Sequence, residues 1–310
     1  MRARRLLIPG IALAAAWCLS ASGSASQPPQ QDTPPELTIG TEIVLVNVVA
    51  SSGSGFVSGL TASDFEVTED GVPQKIEFFG AERTPFAAAI LLDRSGSMER
   101  KLQLARVAAA RFMDHARPDD RVAVYLFGSD VHLLQDFTPG GRDLSDGLWD
   151  STAEGITKMY DCVAAASGSL ATRAEPRRAL LLISDGADFG SASSYDNALR
   201  LALAAGVSVY SVDLAPIGAT HALSSQEELR ARGILRGFAE RSGGRFYVSK
   251  GGQDLNDAFA SIIDELTNQY TIGYAPSNTH HDGTWRKIGV TTARPGLKLR
   301  ARTGYQAPSK

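Results

Sequence analysis

Four largely apolar runs constrain this chain more than any other feature: residues 86–92, 122–127, 179–184 and 207–212, the first of them continuous. A strand with one wet face alternates apolar and polar residues. A run apolar at almost every position fits a strand covered on both faces, as in a parallel sheet between two helix layers. Helical spacing fills the gaps between the runs. Leu102, Ala105, Ala109, Phe112 and Met113 share one helix face through 98–116. Further helical stretches are expected at 158–171, 194–204, 226–242 and 254–268, with a short strand at 245–248. The alternation predicts an α/β fold over residues 84–268: a doubly wound, mostly parallel sheet with helices on both faces.

Both flanks read as β. Residues 43–50 are Val-rich, and 65–69 and 74–78 alternate on either side of Asp70-Gly71, a hairpin signature. The tail offers strands at 270–274, 285–291 and 297–302. Neither flank buries a face alone. The N-terminal β segment (37–83) and the C-terminal one (269–310) are therefore expected to pack as one small β-sandwich. The competing picture is two separate β elements docked on the core. Lys298, Arg300 and Arg302 alternate with Leu297, Leu299 and Ala301. That is the pattern of a protected edge strand or of a basic docking patch.

The first 26 residues have the layout of a signal peptide. Arg2, Arg4 and Arg5 precede an apolar stretch, and small residues at 21–25 place cleavage near Ala25. Pro9 and Gly10 leave the apolar stretch short of the roughly 20 residues that a spanning helix needs. Export to the periplasm or the extracellular space is expected, with no integral membrane segment after cleavage. Residues 27–36 (QPPQQDTPPE) read as an extended linker. The formal charge of −3 argues against a general nucleic-acid binder. After cleavage Cys162 is the single cysteine, so no internal disulfide forms.

Open α/β sheets bind ligands at the carboxyl ends of their strands. The first apolar run ends in Asp93-Arg94-Ser95-Gly96-Ser97, where one carboxylate and two hydroxyls spaced by two lie on a strand-to-helix turn. Thr157 follows Gly155-Ile156 ahead of a helical stretch, and the third run ends in Ser184-Asp185-Gly186. Oxygen ligands without nitrogen or sulfur suit Mg²⁺ or Mn²⁺ rather than zinc. The bland alternative is that Asp93 merely caps the following helix.

Asp93, Ser95, Ser97, Thr157 and Asp185 together resemble the metal-ion-dependent adhesion site (MIDAS) of von Willebrand factor type A (VWA) domains. The resemblance covers 84–268, with no departure at the five ligand positions. It implies that the two serines and the threonine contact the metal, that the aspartates bind it directly or through water, and that an acidic residue of a protein partner completes the shell. Asp188 either steadies its loop, touches a water of that shell, or is a solvated loop acid. The flanks, from Gly59-Leu60-Thr61 to Gln74 and from Gln269-Tyr270 to Arg302-Thr303-Gly304-Tyr305, resemble the VWFA-related family described mainly from Acidobacteria, which adds architecture rather than mechanism.

No enzyme is expected. A second acid is missing where Ser95 stands, Ser97 lacks a G-x-S-x-G frame, and the five histidines form no base position. The expected function is adhesion-type binding of a protein or other acidic ligand. A metal-independent structural or assembly module of the cell envelope is the alternative.

Overall fold

A computed structural model describes residues 43–53, 55–81, 84–214, 225–249 and 252–309. The expected signal peptide (1–26) and linker (27–36) lie outside the described residues. Ahead of the α/β region come strands β1 (Val44–Ser52), β2 (Gly55–Phe56), β3 (Glu66–Glu69), β4 (Val72–Gln74) and β5 (Ile76–Gly80). The α/β region then runs β6 (Phe86–Asp93), α1 (Leu102–His115), β7 (Arg121–Phe127), β8 (Val131–Pro139), α2 (Gly147–Asp150) and α3 (Met159–Ala171). It continues with β9 (Arg177–Ser184), α4 (Tyr195–Ala204), β10 (Val207–Leu214), α5 (Ser225–Ser242), β11 (Phe246–Ser249) and α6 (Gln253–Asn268). The chain closes with β12 (Tyr270–Tyr274), β13 (Trp285–Thr291), β14 (Lys298–Ala301) and β15 (Gly304–Gln306).

The central sheet has the order β11-β10-β9-β6-β7-β8. Its neighbours from β11 to β7 pair in parallel, while β8 joins β7 antiparallel at the edge. Strand β6 is buried at all eight positions because it has a strand on each side and helices above and below. Successive side chains point to opposite faces. Phe86, Ala88, Ile90 and Leu92 accordingly pack with Ala105, Ala109 and Phe112 of α1 and Phe259 and Ile262 of α6. Ala87, Ala89 and Leu91 face the other way, into Met159 and Val163 of α3, Leu199 of α4 and Leu235 and Phe238 of α5.

Parallel pairing is confined to this sheet. Eight of the twelve strand pairings among the described residues are antiparallel, so the expectation of a mostly parallel architecture describes the central sheet and not the chain as a whole. Helix α1 begins later than its apolar spacing suggests, because a 3-10 turn at Gly96–Met98 occupies the first positions after the strand.

The flanks form two antiparallel sheets, β14-β1-β12-β5 (with β2 on β1) and β15-β13-β3-β4. Segments from both ends of the chain interleave in each: β1 pairs with β12 and β14, and β13 pairs with β3. Val46, Val48, Phe65, Val67, Tyr270, Ile272 and Ile288 share one core between them. Phe65, Phe79 and Tyr270 cluster there with centroids 5.4–5.8 Å apart, Phe79 stacked on Tyr270 and Phe65 tilted against both. The Asp70-Gly71 hairpin forms, with both residues at positive φ. Its second arm does not continue as one strand: β4 stays with β3, and after Lys75 the chain crosses to the other sheet as β5.

The charged face expected on the tail strand is not a solvent face. Strand β14 is an edge, but Arg300 reaches the carbonyls of Gly243 and Gly244 and ion-pairs with the fully buried Glu265 of α6. Arg302 is 7% exposed. Only Lys298 is exposed. The α/β region covers that strand face and supplies the acceptors its charges need.

Candidate metal centre

Strand β6 carries Asp93 to its carboxyl end, where the side chain is fully buried. Its Oδ1 accepts the Ser95 N–H at 2.8 Å, bending the chain sharply into the 3-10 turn. Its Oδ2 accepts the Ser184 hydroxyl at 2.6 Å from the end of β9. Asp93 is thus more than a helix cap: it binds the turn that follows it and the neighbouring strand end at once. The hydroxyls of Ser95 and Ser97 lie 3.1 Å apart, Ser95 buried and Ser97 exposed. Burial first, and then the charge of Asp185, hold the Asp93 carboxyl up at about 6.

Thr157 arrives with a second loop locked to the first. The Gly96 N–H points to the Gly155 carbonyl at 3.4 Å, Glu154 N–H donates to Arg94 O at 2.7 Å, and Lys158 N–H donates to Gly128 O at 3.0 Å. The Arg94 guanidinium, 17% exposed, bridges Asp130 at 2.5 Å and Glu154 at 3.2 Å. Gly155 sits at φ +78°, where a Cβ would run into the Ser129 hydroxyl. Thr157 is 2% exposed, and its carbonyl accepts the Phe189 and Gly190 N–H groups from the loop after β9.

Asp185 is half-buried in that third loop, with Oδ1 accepting the Ala187 N–H at 3.3 Å. Asp188 faces elsewhere. Its oxygens accept the Tyr160 N–H at 3.0 Å, the Ser191 N–H at 3.2 Å and the Ser191 hydroxyl at 2.7 Å, pinning the loop to the start of α3. Ser184 is the residue that motif reading passes over, because a serine ending an apolar run looks like a small core residue. At the end of β10, Asp213 is held by Arg232 at 2.7 Å, and Asp185 is among the charges acting on it.

The residues present fit a hard divalent cation. Asp93, Ser95 and Ser97 meet at the strand end, Asp185 is close enough for its charge to act on Asp93, and Thr157 lies on the loop tied to the same turn, all of them oxygen donors; among the described residues no group of three or more His, Cys, Asp or Glu competes as a metal site. Ligands at the 2.0–2.1 Å of Mg²⁺ stand about 2.9 Å apart along an octahedral edge; the Ser95–Ser97 spacing of 3.1 Å is close to that. Desolvation and mutual repulsion of acids, the two pressures on Asp93, are those a bound cation relieves.

The family model for the von Willebrand factor type A domain matches residues 88–187. No curated protein sequence matches the chain. Among solved structures, a von Willebrand factor type A protein from Catenulispora acidiphila superposes with a TM-score of 0.51 at 13% identity, over 82% of this chain and 76% of that one. The pilus adhesin SpaC from Lactobacillus rhamnosus GG gives 0.49 at 10% identity, over 79% of this chain and 48% of that one. The vWF domain of the type V pili tip protein Mfa5 from Porphyromonas gingivalis gives 0.48 at 14% identity, over 59% and 95%. The matched stretch, residues 88–187, runs from within β6 to the loop after β9, contains all five oxygen-bearing residues, and is similar to the von Willebrand factor type A domain.

Proposed function

We propose that this is an exported binding protein whose strand-end cluster takes up one Mg²⁺ or Mn²⁺ and recruits an acidic residue of a protein partner. The observation that carries the reading is the Ser95–Ser97 hydroxyl pair, 3.1 Å apart above the buried Asp93. Ser95, Ser97 and Thr157 would hold the ion directly, and Asp93 and Asp185 directly or through water. When bound, the ion supplies a concentrated positive charge for a carboxylate ligand. The chain's own residues keep the place: Asp93 ties the turn to β9, Arg94 clamps the second loop, and the exposed Ser97 leaves the cluster open to a partner. Export rests on the leader-like residues 1–26.

Calorimetric titration of the protein with MgCl₂ and MnCl₂ tests this, with Ser97→Ala as the control variant. One site is expected in the wild type, with affinity lost in Ser97→Ala at unchanged circular dichroism. No heat from either metal at millimolar concentration defeats the reading. It favours the second one, a metal-independent envelope module, which the complete pairing of both Asp93 oxygens with protein donors supports. Asp93→Ala is a poor probe, because it also strips two bonds that hold the loops.

A further inference from the structure

At the opposite end of the central sheet, where β9 and β10 begin, a cavity of about 290 Å³ opens between the α/β region and the β-sandwich. Its only charged walls among the described residues are two arginines, Arg178 and Arg302, and no carboxylate lines it. Among the described residues neither arginine has an ion-pair partner within 4 Å, although the charge of Glu175 acts on Arg178 from farther away. Arg302, 7% exposed, donates to the carbonyls of Leu203 and Leu45, and its buried Nε has no hydrogen-bond partner. Arg178 donates to the carbonyls of Glu175 at 3.3 Å, Ala205 at 3.0 Å and Arg173 at 2.7 Å.

Part of this arrangement is plain structure, because Leu203 and Ala205 belong to the C-terminal turn of α4, where cations suit the helix dipole. Carbonyl dipoles do not neutralise two full charges, and each guanidinium has five N–H groups. Burial draws the Arg302 guanidinium down to about 10, the response of a cation short of an anion.

We infer that this seam cavity binds a small organic carboxylate, its oxygens on the remaining terminal N–H groups of Arg178 and Arg302 and its apolar body against Pro176, Pro276, Pro308 and Tyr305. The volume is at the lower end of small-molecule sites, about 300–1,000 Å³. Guanidinium N–H groups meet a carboxylate in a planar, charge-assisted geometry, which gives this ligand class its advantage over a neutral one. The inference stands apart from the metal reading, since it uses none of the same residues.

Titration of the full chain with sodium benzoate at constant ionic strength, followed by the Arg Nε–H signals of a ¹⁵N spectrum, tests it. Saturable shifts at Arg302 and Arg178 are expected, with a Kd on the order of 1 mM. The neutral isostere benzamide and inorganic phosphate are expected to bind at least roughly tenfold more weakly. Ala204→Trp, which fills the cavity from an exposed wall position, should abolish the shifts while leaving the thermal midpoint in place. Arg178→Gln should weaken binding roughly tenfold. If that variant fails to fold, Ala204→Trp decides. Equal binding of benzamide, tighter binding of phosphate, an absence of saturation, or full binding by Ala204→Trp would each overturn the assignment.

Discussion

The Ser184 hydroxyl donates to Asp93 Oδ2 at 2.6 Å, joining the carboxyl ends of two adjacent parallel strands. The same hydroxyl accepts the Gly186 N–H at 3.0 Å, so one serine holds both the buried acid and the loop that carries Asp185. A hydrogen bond to a buried charged group contributes about 1.5–3 kcal/mol. Ser184→Ala should therefore lower unfolding stability by about that amount in urea titrations at neutral pH. A cost within error of zero would mean that the two strand ends are fixed by backbone pairing alone.

Ligand linkage gives a second expectation for the strand-end cluster. An ion that binds only the folded chain stabilises it by about 2.7 kcal/mol at a concentration 100 times its Kd. Saturating Mg²⁺ should raise the thermal midpoint of the wild type, and EDTA should reverse the shift. Ser97 is exposed, so Ser97→Ala should leave the midpoint in EDTA unchanged while erasing the response to Mg²⁺. A response preserved in that variant would place the ion somewhere other than the serine pair.

Gly155 permits the close packing of the Thr157 loop against the turn after β7. At φ +78° a side chain is strained, and its Cβ would strike the Ser129 hydroxyl, which accepts the Ile156 N–H at 3.2 Å. Gly155→Ala should cost about 1–3 kcal/mol. Adding Ser129→Ala removes the clash with the hydroxyl, leaving a tight Cβ contact and the backbone strain, so the double variant should recover part of the loss. A full double-mutant cycle by chemical denaturation measures the split. No recovery at all would show that the hydroxyl adds nothing to the cost.

Acid stability has a local contributor in the sandwich. Arg294 meets Asp64 at 2.7 Å, and that bond, together with the Thr61 N–H, holds the Asp64 carboxyl down at about 2 against an ordinary 3.8. A carboxyl whose folded pKa is depressed adds stability above its unfolded pKa and loses it as pH falls through the folded value. The contribution should be complete above about pH 4 and gone near pH 2. Arg294→Ala should thus be less stable than wild type at neutral pH, by a modest margin because the pair is surface-lying, and the two curves should converge as pH falls through that window. A difference that persists unchanged at pH 2 would assign the role of Arg294 to packing instead.

Much of this architecture is legible in the sequence because its signals are local. Runs buried on both faces announce the central strands, and Asp-x-Ser-x-Ser marks the turn where oxygens gather. What the sequence hides depends on partners distant along the chain. Strand β8 lies on the sheet edge with no buried position, so its residues need no clean alternation. Ser184 matters only because β9 lies beside β6. Arg300 and Arg302 alternate as a surface face would, yet α6 and the last turn of α4 cover them. The continuous alternation of 74–78 conceals a crossing between two sheets at Lys75.

Arg177 links the two halves of the molecule. The side chain is fully buried at the start of β9, donating to Thr271 Oγ1 of the sandwich at 3.3 Å and to the carbonyls of Thr84, Leu266 and Thr267 at 3.2–3.4 Å, with a further bond to Ala81 O. These acceptors come from both chain crossings between the sandwich and the α/β region. Each buried acceptor left without a donor costs about 1–3 kcal/mol. Arg177→Met should therefore destabilise the fold by about 3–5 kcal/mol even though it removes the expense of burying a charge. The more informative readout is cooperativity. Trp149 lies in the α/β region and Trp285 in the sandwich, both partly exposed, so Trp149→Phe and Trp285→Phe versions, each also carrying Trp17→Phe, report the halves separately. In an otherwise wild-type background the two fluorescence transitions should coincide. With Arg177→Met they should separate, the sandwich melting first, because it is the smaller body and has lost its buried tether. Coincident transitions at an unshifted midpoint would show that Glu265, Arg300 and Arg302 hold the halves together without Arg177.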